Sequence, residues 1–263
     1  MVYYEKIIYI KKSYFYLILM KTLVLYVFHE YNDLVQSFIN KAIFKDDNID
    51  FMIVCSDLNY KIDNLPDYVI YKNRENVGFD FGGWSYGLLI DDFYKNYDNY
   101  ICVNSSAVGP YLPETYKGKW TDFFINGLTD NVKLFGSSIN KDILPHIQTF
   151  IFSLEKETLE YLIRCEIFSL TKQYNEKWDV IMYKEISMSY LIIRNKWNIG
   201  CLIPYYKNTD FVKLFNNMNL NNEIVFGHPE YKSEDMMHNE FYKKYWNETD
   251  IIFIKGNRNI ILK

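Results

Sequence analysis

Residues 22–28 read TLVLYVF, a run of β-branched and aromatic residues that is too short for a typical helix. Residues 50–56, DFMIVCS, repeat this pattern after an amphipathic stretch, DLVQSFINKAIF. Strands that are buried on both faces of a parallel sheet read as continuous apolar runs, because helices cover both sides of the sheet. The two runs and the segment between them therefore predict a βαβ unit.

The same alternation continues along the chain. The pattern predicts a third strand at 68–73, then a helix that begins near Gly83, and then a fourth strand at 99–105. The second half is less regular, with three predicted strands and two predicted amphipathic helices. The strands are at 132–140, 149–154 and 197–204, and the helices at 156–171 and 180–196. This order predicts an α/β domain with a mixed, mainly parallel central sheet flanked by helices.

The length of 263 residues suits one large domain. Met20 directly precedes the first strand, so we expect a single domain over 20–263 and an N-terminal extension over 1–19. Within that domain, 205–263 should form loops, short helices and an edge strand. The apolar run at 14–20 is shorter than the roughly 20 residues that a membrane span needs, so no membrane span is expected.

The net charge and the cysteine content limit the classes of partner and site that the protein can have. The net charge of −4 argues against a nucleic-acid partner, since binding to phosphates requires a concentrated basic surface. The four cysteines lie far apart, without the CxxC spacing of zinc or redox sites. They predict buried, reduced thiols in a cytoplasmic protein.

Polar and aromatic side chains follow the ends of the four predicted strands. In an open parallel sheet, ligands bind outside the carboxyl ends of the strands. The residues found there are Phe28, His29 and Glu30, Ser56 and Asp57, the segment 73–83, and Asn104, Ser105 and Ser106. Each group alone is typical of a loop with caps and turns. Together they favour a nucleotide-binding crevice.

The segment 74–84, RENVGFDFGGW, is the most distinctive of these ends. Its three glycines allow close approach of a ligand to the backbone. Asp80 can accept hydrogen bonds from sugar hydroxyls, and Arg74 can pair with phosphate or hold Asp80 in place. Alternatively, Asp80 and Ser85 only cap a helix, and the glycines serve its packing. The spacing matches neither GxGxxG nor the P-loop.

Four blocks of the sequence resemble a known family. RENVGFDFGGWSYG, YICVNSSAVGPYLP, LFGSSIN with HIQTFIFSL, and KEISMSYLIIRNKWNIG occur in this order. They are similar to blocks of virus-encoded glycosyltransferases of large DNA viruses and of the bacterial rhamnan-synthesis F group. The resemblance spans roughly residues 20–205, and NxGxDFGGW is its most specific part.

The resemblance implies a GT-A fold and transfer of a hexose or deoxyhexose from a nucleotide-diphosphate sugar, most often UDP-linked. The acceptor would be a glycan or glycoprotein. The site residues that it implies fall into three groups. Val27, Phe28, His29 and Asp57 would surround the nucleobase, Arg74, Asn76 and Asp80 would face the donor, and Asn104, Ser105 and Ser106 would hold the diphosphate.

The sequence departs from this fold's usual pattern at the fourth strand. Such enzymes place Asp-x-Asp there to hold Mn²⁺ or Mg²⁺, because hard cations prefer carboxylate oxygens. Here Asn104, Ser105 and Ser106 offer neutral oxygens, so either the enzyme does not depend on a metal or the cation relies on other groups. His146 and Asp80 are the first candidates for such groups.

Glu185 is the predicted catalytic base, together with Asp80 in the active site. An inverting transferase needs a carboxylate to deprotonate the acceptor hydroxyl, whereas a retaining enzyme can work without one. Ser189 follows at the i, i+4 spacing that places both on one helix face. Alternatively, Glu185 is an exposed residue that pairs with Lys184 or Arg194.

Other aromatic residues and other functions stay open at this stage. Trp84, Trp120, Tyr111 and Trp178 can stack on sugar rings or belong to the core. A sugar-nucleotide or glycan binding module that kept the fold and lost turnover is the main alternative function. A sugar-phosphate nucleotidyltransferase is a third, although no glycine-rich, lysine-bearing loop follows the first strand.

Overall fold

The structure is a computed structural model that describes residues 20–140, 144–221 and 235–262. The predicted extension 1–19 lies outside the described residues. The strands are β1 (Thr22–Phe28), β2 (Ile49–Cys55), β3 (Val69–Asn73), β4 (Asn99–Asn104), β5 (Ala107–Val108), β6 (Val132–Gly136), β7 (Ile139–Asn140), β8 (His146–Ile147), β9 (Ile151–Glu155), β10 (Asn198–Cys201) and β11 (Ile254–Lys255).

The helices lie between and beside these strands. They are α1 (Asp33–Ala42), α2 (Phe79–Leu89), α3 (Trp120–Ile125), α4 (Lys156–Arg164), α5 (Lys177–Val180), α6 (Ser187–Arg194), α7 (Phe211–Asn221) and α8 (Glu248–Ile251). Short 3₁₀ segments follow α2 and β10, at Ile90–Asn96 and Pro204–Tyr206. A wider π-helical segment, Ile181–Ile186, joins α5 to α6.

Seven strands form the central sheet in the order β10-β6-β9-β4-β1-β2-β3. All neighbouring pairs are parallel except those of β9, which runs antiparallel to both β4 and β6. The predicted fold class, a mixed, mainly parallel α/β sheet with flanking helices, is confirmed. Six strands therefore end at one edge of the sheet, where ligands of such folds bind.

The apolar runs form the core, as their patterns predict. Every residue of β1 is buried, and so is nearly all of β2. Trp84 and Trp120 are also core residues, with 0% and 2% exposure. All four cysteines are free thiols, and Cys165 is less deeply buried than the other three.

Helix α2 begins earlier than the sequence predicted. Its N-terminal cap is Gly78, whose positive φ of 75° suits a residue without a side chain. Asp80 consequently lies in the first helical turn and not in a loop. Gly82 and Gly83 lie inside the helix, and a Cβ on Gly83 would come within 3.0 Å of Val27 on β1. Gly83 therefore serves the packing of α2 on the sheet, whereas a Cβ on Gly82 would meet the carbonyl oxygen of Val77 and the side chain of Gln173.

Gly87, one turn further along α2, gives a test of this packing. A Cβ there would lie 2.8 Å from a methyl carbon of Leu25 and 3.1 Å from the sulfur of Met52. We expect Gly87→Val to lower the free energy of unfolding by about 1–3 kcal/mol, because it overpacks a filled core. Urea denaturation measures the change. Asn40→Val, on the exposed part of α1, controls for helix propensity, and equal losses in both variants would contradict the packing argument.

Two further sequence expectations need correction. The helix predicted over 156–171 ends at Arg164, and the one predicted from 180 begins at Lys177 and contains the π-helical segment. Near the C-terminus, the predicted edge strand does not join the central sheet. Instead, β11 pairs antiparallel with β5, directly after the end of β4.

Candidate functional site

A cavity of about 530 Å³ lies at the carboxyl edge of the sheet, and we call it the edge cavity. Its charged lining residues are Asp80, Lys177, Glu185, Lys255 and Arg258. Its polar lining residues include Asn104, Ser105, Ser106, His146, Gln148 and Thr149. The structure therefore brings together residues from α2, β4, β8, the π-helical segment and β11.

Asp80 is fixed to the end of β4. The side-chain amide of Asn104 donates a hydrogen bond to Asp80 Oδ2 at 2.8 Å. Burial raises the pKa of Asp80 to about 6, and the charge of Glu185 adds to this effect. The Asn104 amide and the ammonium groups of Lys255 and Lys177 act in the opposite direction. Asp80 is thus a carboxylate whose ionised form is costly in the absence of a ligand.

Glu185 lies in the cavity wall and contacts neither Lys184 nor Arg194 as an ion pair. Its Oε2 accepts a hydrogen bond from Thr149 Oγ1 at 2.7 Å, and its Oε1 is 3.6 Å from His146 Nε2. Burial alone would raise the pKa of Glu185, but the imidazole of His146, the hydroxyl of Thr149 and the charge of Lys255 together lower it. Glu185 is therefore held as an ionised carboxylate.

The position of Glu185 depends on the helix that carries it. The π-helical segment widens the turn around Glu185, and such bulges are frequent at functional sites. Four residues later, Ser189 Oγ accepts a hydrogen bond from the backbone N–H of Ile147 at 3.0 Å. Glu185 and Ser189 thus both face the β8 region, as their spacing predicts.

The usual metal of this fold does not fit the residues at the end of β4. Asn104 Oδ1 already accepts hydrogen bonds from the backbone N–H and the hydroxyl of Ser106. His146 Nδ1 faces the Leu144 carbonyl oxygen at 2.7 Å, and its Nε2 faces Glu185. In the described part of the chain, no three His, Cys, Asp or Glu side chains are grouped as a metal site would require.

Several predicted residues lie outside the edge cavity. Val27 and Phe28 are buried in the core, whereas His29, Asp57 and Asn76 are exposed. His29 Nδ1 lies 3.0 Å from the carbonyl oxygen of Ser56, next to the end of β2. The nucleobase residues therefore lie at the same sheet edge as Asn104, but the structure does not bring them into contact with Asp80.

Arg74 likewise faces away from Asp80. Its guanidinium is buried and donates to the carbonyl oxygen of Val77, and it lines a separate pocket with Asn73 and Gln173. Ser85 does not cap α2, because its hydroxyl accepts a hydrogen bond from the backbone N–H of Ser169 at 3.0 Å. The sequence suggested that Arg74 pairs with Asp80 or with a phosphate in the edge cavity. Its observed position fits neither role.

Sequence reasoning missed two groups of residues near the site. Tyr31 and Tyr60 stack with ring centroids 5.4 Å apart, beside Phe28 at the ends of β1 and β2. Lys255 and Arg258 reach the edge cavity from the C-terminal segment. The run IIFI followed by KGNR was the available signal, since it predicts a strand that ends in charged residues.

Comparison with known protein families shows which family the chain belongs to. The family model described as "Rhamnan synthesis protein F" matches residues 51–203, which include Asp80, Asn104 and Glu185. The chain belongs to this family. The resemblance of the sequence to the rhamnan-synthesis F group is thereby confirmed. That the protein is encoded by a large DNA virus stays a prediction. Lys255 and Arg258 lie beyond the matched residues of this family member.

Two solved structures are distantly similar to this family member. One is a glycosyltransferase involved in the glycosylation of the major capsid of PBCV-1, at 14% identity over 69% of this chain and 80% of that chain, with a TM-score of 0.40. The other is the apo-form glycosyltransferase GlyE of Streptococcus pneumoniae TIGR4, at 11% identity over 68% and 44% of the two chains, with a TM-score of 0.39. A search of curated proteins gave no match.

Proposed function

We propose that this protein is a glycosyltransferase. It transfers a hexose or deoxyhexose from a nucleotide-diphosphate sugar to a glycan or glycoprotein acceptor, and the proposed donor is a UDP-sugar. The observation that carries the proposal is the placement of Asp80 and Glu185 in one cavity at the carboxyl edge of the sheet. Membership in the rhamnan synthesis F family supports the same chemistry.

In the proposed reaction, the acceptor hydroxyl oxygen forms a bond to the anomeric carbon of the donor sugar. The bond between that carbon and the diphosphate oxygen breaks, and the nucleoside diphosphate leaves with the electron pair. For an inverting enzyme, Glu185 accepts the hydroxyl proton, which its lowered pKa permits because the carboxylate is ionised. A retaining enzyme would not need this transfer to Glu185.

Asp80 has a different proposed role. Its carboxylate accepts hydrogen bonds from the donor sugar's hydroxyls, and Asn104 keeps it directed at the end of β4. Hydroxyl donors would stabilise the ionised form that burial disfavours. Binding of the sugar would thus compensate for the cost of the Asp80 charge.

Exposed aromatic side chains at the rim suit an acceptor sugar. Trp178 is 62% exposed and Phe79 is 41% exposed, and both line the edge cavity. Flat aromatic rings present an apolar surface on which a sugar ring can pack. We assign Trp178 to the acceptor side for this reason, whereas Trp84 and Trp120 serve the core.

A donor-hydrolysis and transfer screen tests the proposal. The purified protein is incubated with UDP-, GDP- and dTDP-sugars, with and without Mn²⁺, and release of the nucleoside diphosphate is measured. We expect release from at least one donor, most strongly for a UDP-sugar. Glu185→Gln run in parallel identifies contaminating activity, and no release from any donor at high protein concentration would contradict the proposal.

A non-catalytic sugar-nucleotide binding module is the second candidate. The neutral residues Asn104, Ser105 and Ser106, which replace the acidic pair usual for this fold, favour it. Thermal shift with UDP-sugars separates the two functions when combined with the turnover assay. A binder would lose the UDP-sugar shift with Asp80→Ala, keep it with Glu185→Ala, and release no nucleotide from any donor.

The cell compartment is part of the proposal. We propose that the protein is cytoplasmic for two reasons. Nucleotide-sugar donors are present in the cytoplasm, and all four cysteines are free thiols, as expected in a reducing compartment. Among the residues that the structure describes, no helix is both long and apolar enough to cross a bilayer.

A further inference from the structure

The C-terminal segment docks directly on the end of β4. Ile254 and Lys255 of β11 lie opposite Val108 and Ala107 of β5, and the N–H of Gly256 donates to the carbonyl oxygen of Ser106 at 2.7 Å. Gly256 permits this approach, because a Cβ there would lie 2.6 Å from Val108. The segment that carries Lys255 and Arg258 is therefore held beside the end of β4 and the residues Ser105 and Ser106 that follow it.

Lys255 is a partly buried cation in the edge cavity. No described carboxylate lies within ion-pair distance of its ammonium group, although its charge influences both Asp80 and Glu185. Burial lowers the pKa of Lys255, and Glu185 only partly offsets this effect. A buried ammonium group without a close carboxylate is stabilised by an anionic ligand.

Two more cations lie around Lys255. Arg258 lines the same cavity, and its guanidinium is held at 2.5 Å from Asp235 Oδ2, which fixes its direction. Lys177 is exposed at the start of α5 and also lines the cavity. Besides the carboxylates of Asp80 and Glu185, the cavity thus contains three basic side chains and the hydroxyl of Ser105, which can all donate hydrogen bonds to a polyanion.

We propose that Lys255 and Arg258, with Lys177 at the rim, bind the diphosphate of the donor in place of a metal ion. This inference rests on the proposed function, from which it takes the diphosphate. The ammonium and guanidinium groups neutralise the charge that develops on the departing nucleoside diphosphate. The cations come from the C-terminal segment and α5, so the diphosphate would lie between them and the end of β4.

Calorimetric titration tests the inference, with UDP and inorganic pyrophosphate as probes in EDTA. We expect UDP to bind in EDTA, and added Mn²⁺ to change its Kd by less than about threefold. Lys255→Gln should weaken UDP and pyrophosphate binding by roughly 10–100-fold, as expected for loss of a charged hydrogen-bond partner. Lys21→Gln, at the opposite edge of the sheet, should leave both affinities unchanged.

The outcomes separate this inference from the proposed function. UDP binding that requires Mn²⁺, or unchanged affinity in Lys255→Gln, overturns the inference and leaves the transferase standing. Binding in EDTA that depends on Lys255, with no donor turned over, overturns the transferase and supports the phosphate site. If neither UDP nor pyrophosphate binds, with or without Mn²⁺, and no donor is turned over, both the inference and the proposed function are overturned.

A second variant tests the inference if the Lys255→Gln variant does not fold. The double substitution Lys177→Gln and Arg258→Gln changes exposed side chains, and its only lost ion pair among the described residues is the one between Arg258 and Asp235, so its unfolding temperature should fall by no more than a few degrees. Its UDP affinity in EDTA should still fall by about tenfold. Unchanged affinity in this folded variant would overturn the inference as well.

Discussion

Replacement of Glu185 by Gln is expected to lower kcat by about 10²–10⁴-fold, the usual contribution of a general base. Gln keeps the shape of the side chain and can still accept the hydrogen bond from Thr149, but it cannot take the acceptor proton. The donor should bind nearly as well as before. Steady-state kinetics with the donor found in the screen measures kcat, and calorimetry with UDP measures donor binding.

The pH profile adds a readout that a structural role would not give. The pKa of Glu185 is lowered, so at saturating donor, where sugar hydroxyls stabilise the ionised Asp80, kcat should fall only at strongly acidic pH. The ratio kcat/KM should already fall below about pH 6, because Asp80 of the free enzyme is then protonated. Glu157→Gln, an exposed residue of α4, serves as the matched control. A decrease of less than threefold in Glu185→Gln would contradict the base role and favour a retaining reaction that does not need it.

The parallel half of the fold was predictable because its strands are buried on both faces. In β1, TLVLYVF coincides with the observed strand, since every residue points into a helix-covered layer. The start of α2 was not predictable in the same way. It depends on Gly78 adopting a left-handed conformation, which a glycine permits but does not dictate.

Residues of the candidate site were predictable where local sequence and sheet topology agree. Asn104 ends β4, and Asp80 lies in the first turn of α2, which follows β3. Helix α2 packs on β1, and β1 pairs with β4, so the two side chains meet. Arg74 was predicted for the same site, yet its side chain turns to Val77. The sequence shows that Arg74 follows a strand but not which way its side chain points.

Contacts between distant segments were the least predictable. His146 and Glu185 meet across 39 positions of the chain, and Lys255 reaches the end of β4 from far beyond the family match. Such contacts depend on how short edge strands pair, and a two-residue strand such as β11 gives almost no periodic signal. The cationic side of the edge cavity therefore became visible only in the structure.

Asp80→Asn is expected to give a protein that is more stable and nearly inactive. The pKa of Asp80 is raised from 3.8 to about 6, so the folded state resists its ionisation. The wild-type protein loses stability as pH rises from about 4 through 6, because the unfolded state ionises first. Above pH 6 the neutral Asn should therefore increase the free energy of unfolding by about 1–3 kcal/mol, and this gain should be nearly absent near pH 4.

Activity should change in the opposite direction. An amide cannot replace a carboxylate that accepts hydrogen bonds from sugar hydroxyls, so kcat/KM should fall by roughly 10–100-fold, as for loss of a charged hydrogen-bond partner. Urea denaturation at pH 4 and pH 8 measures the stability change, and Asp63→Asn, an exposed loop carboxylate, serves as the control. A stability gain that is the same at both pH values would mean that the gain does not come from the Asp80 charge. Full activity in the stabilised variant would remove Asp80 from donor recognition, because the residue would then carry a charge that folding disfavours and the reaction does not use.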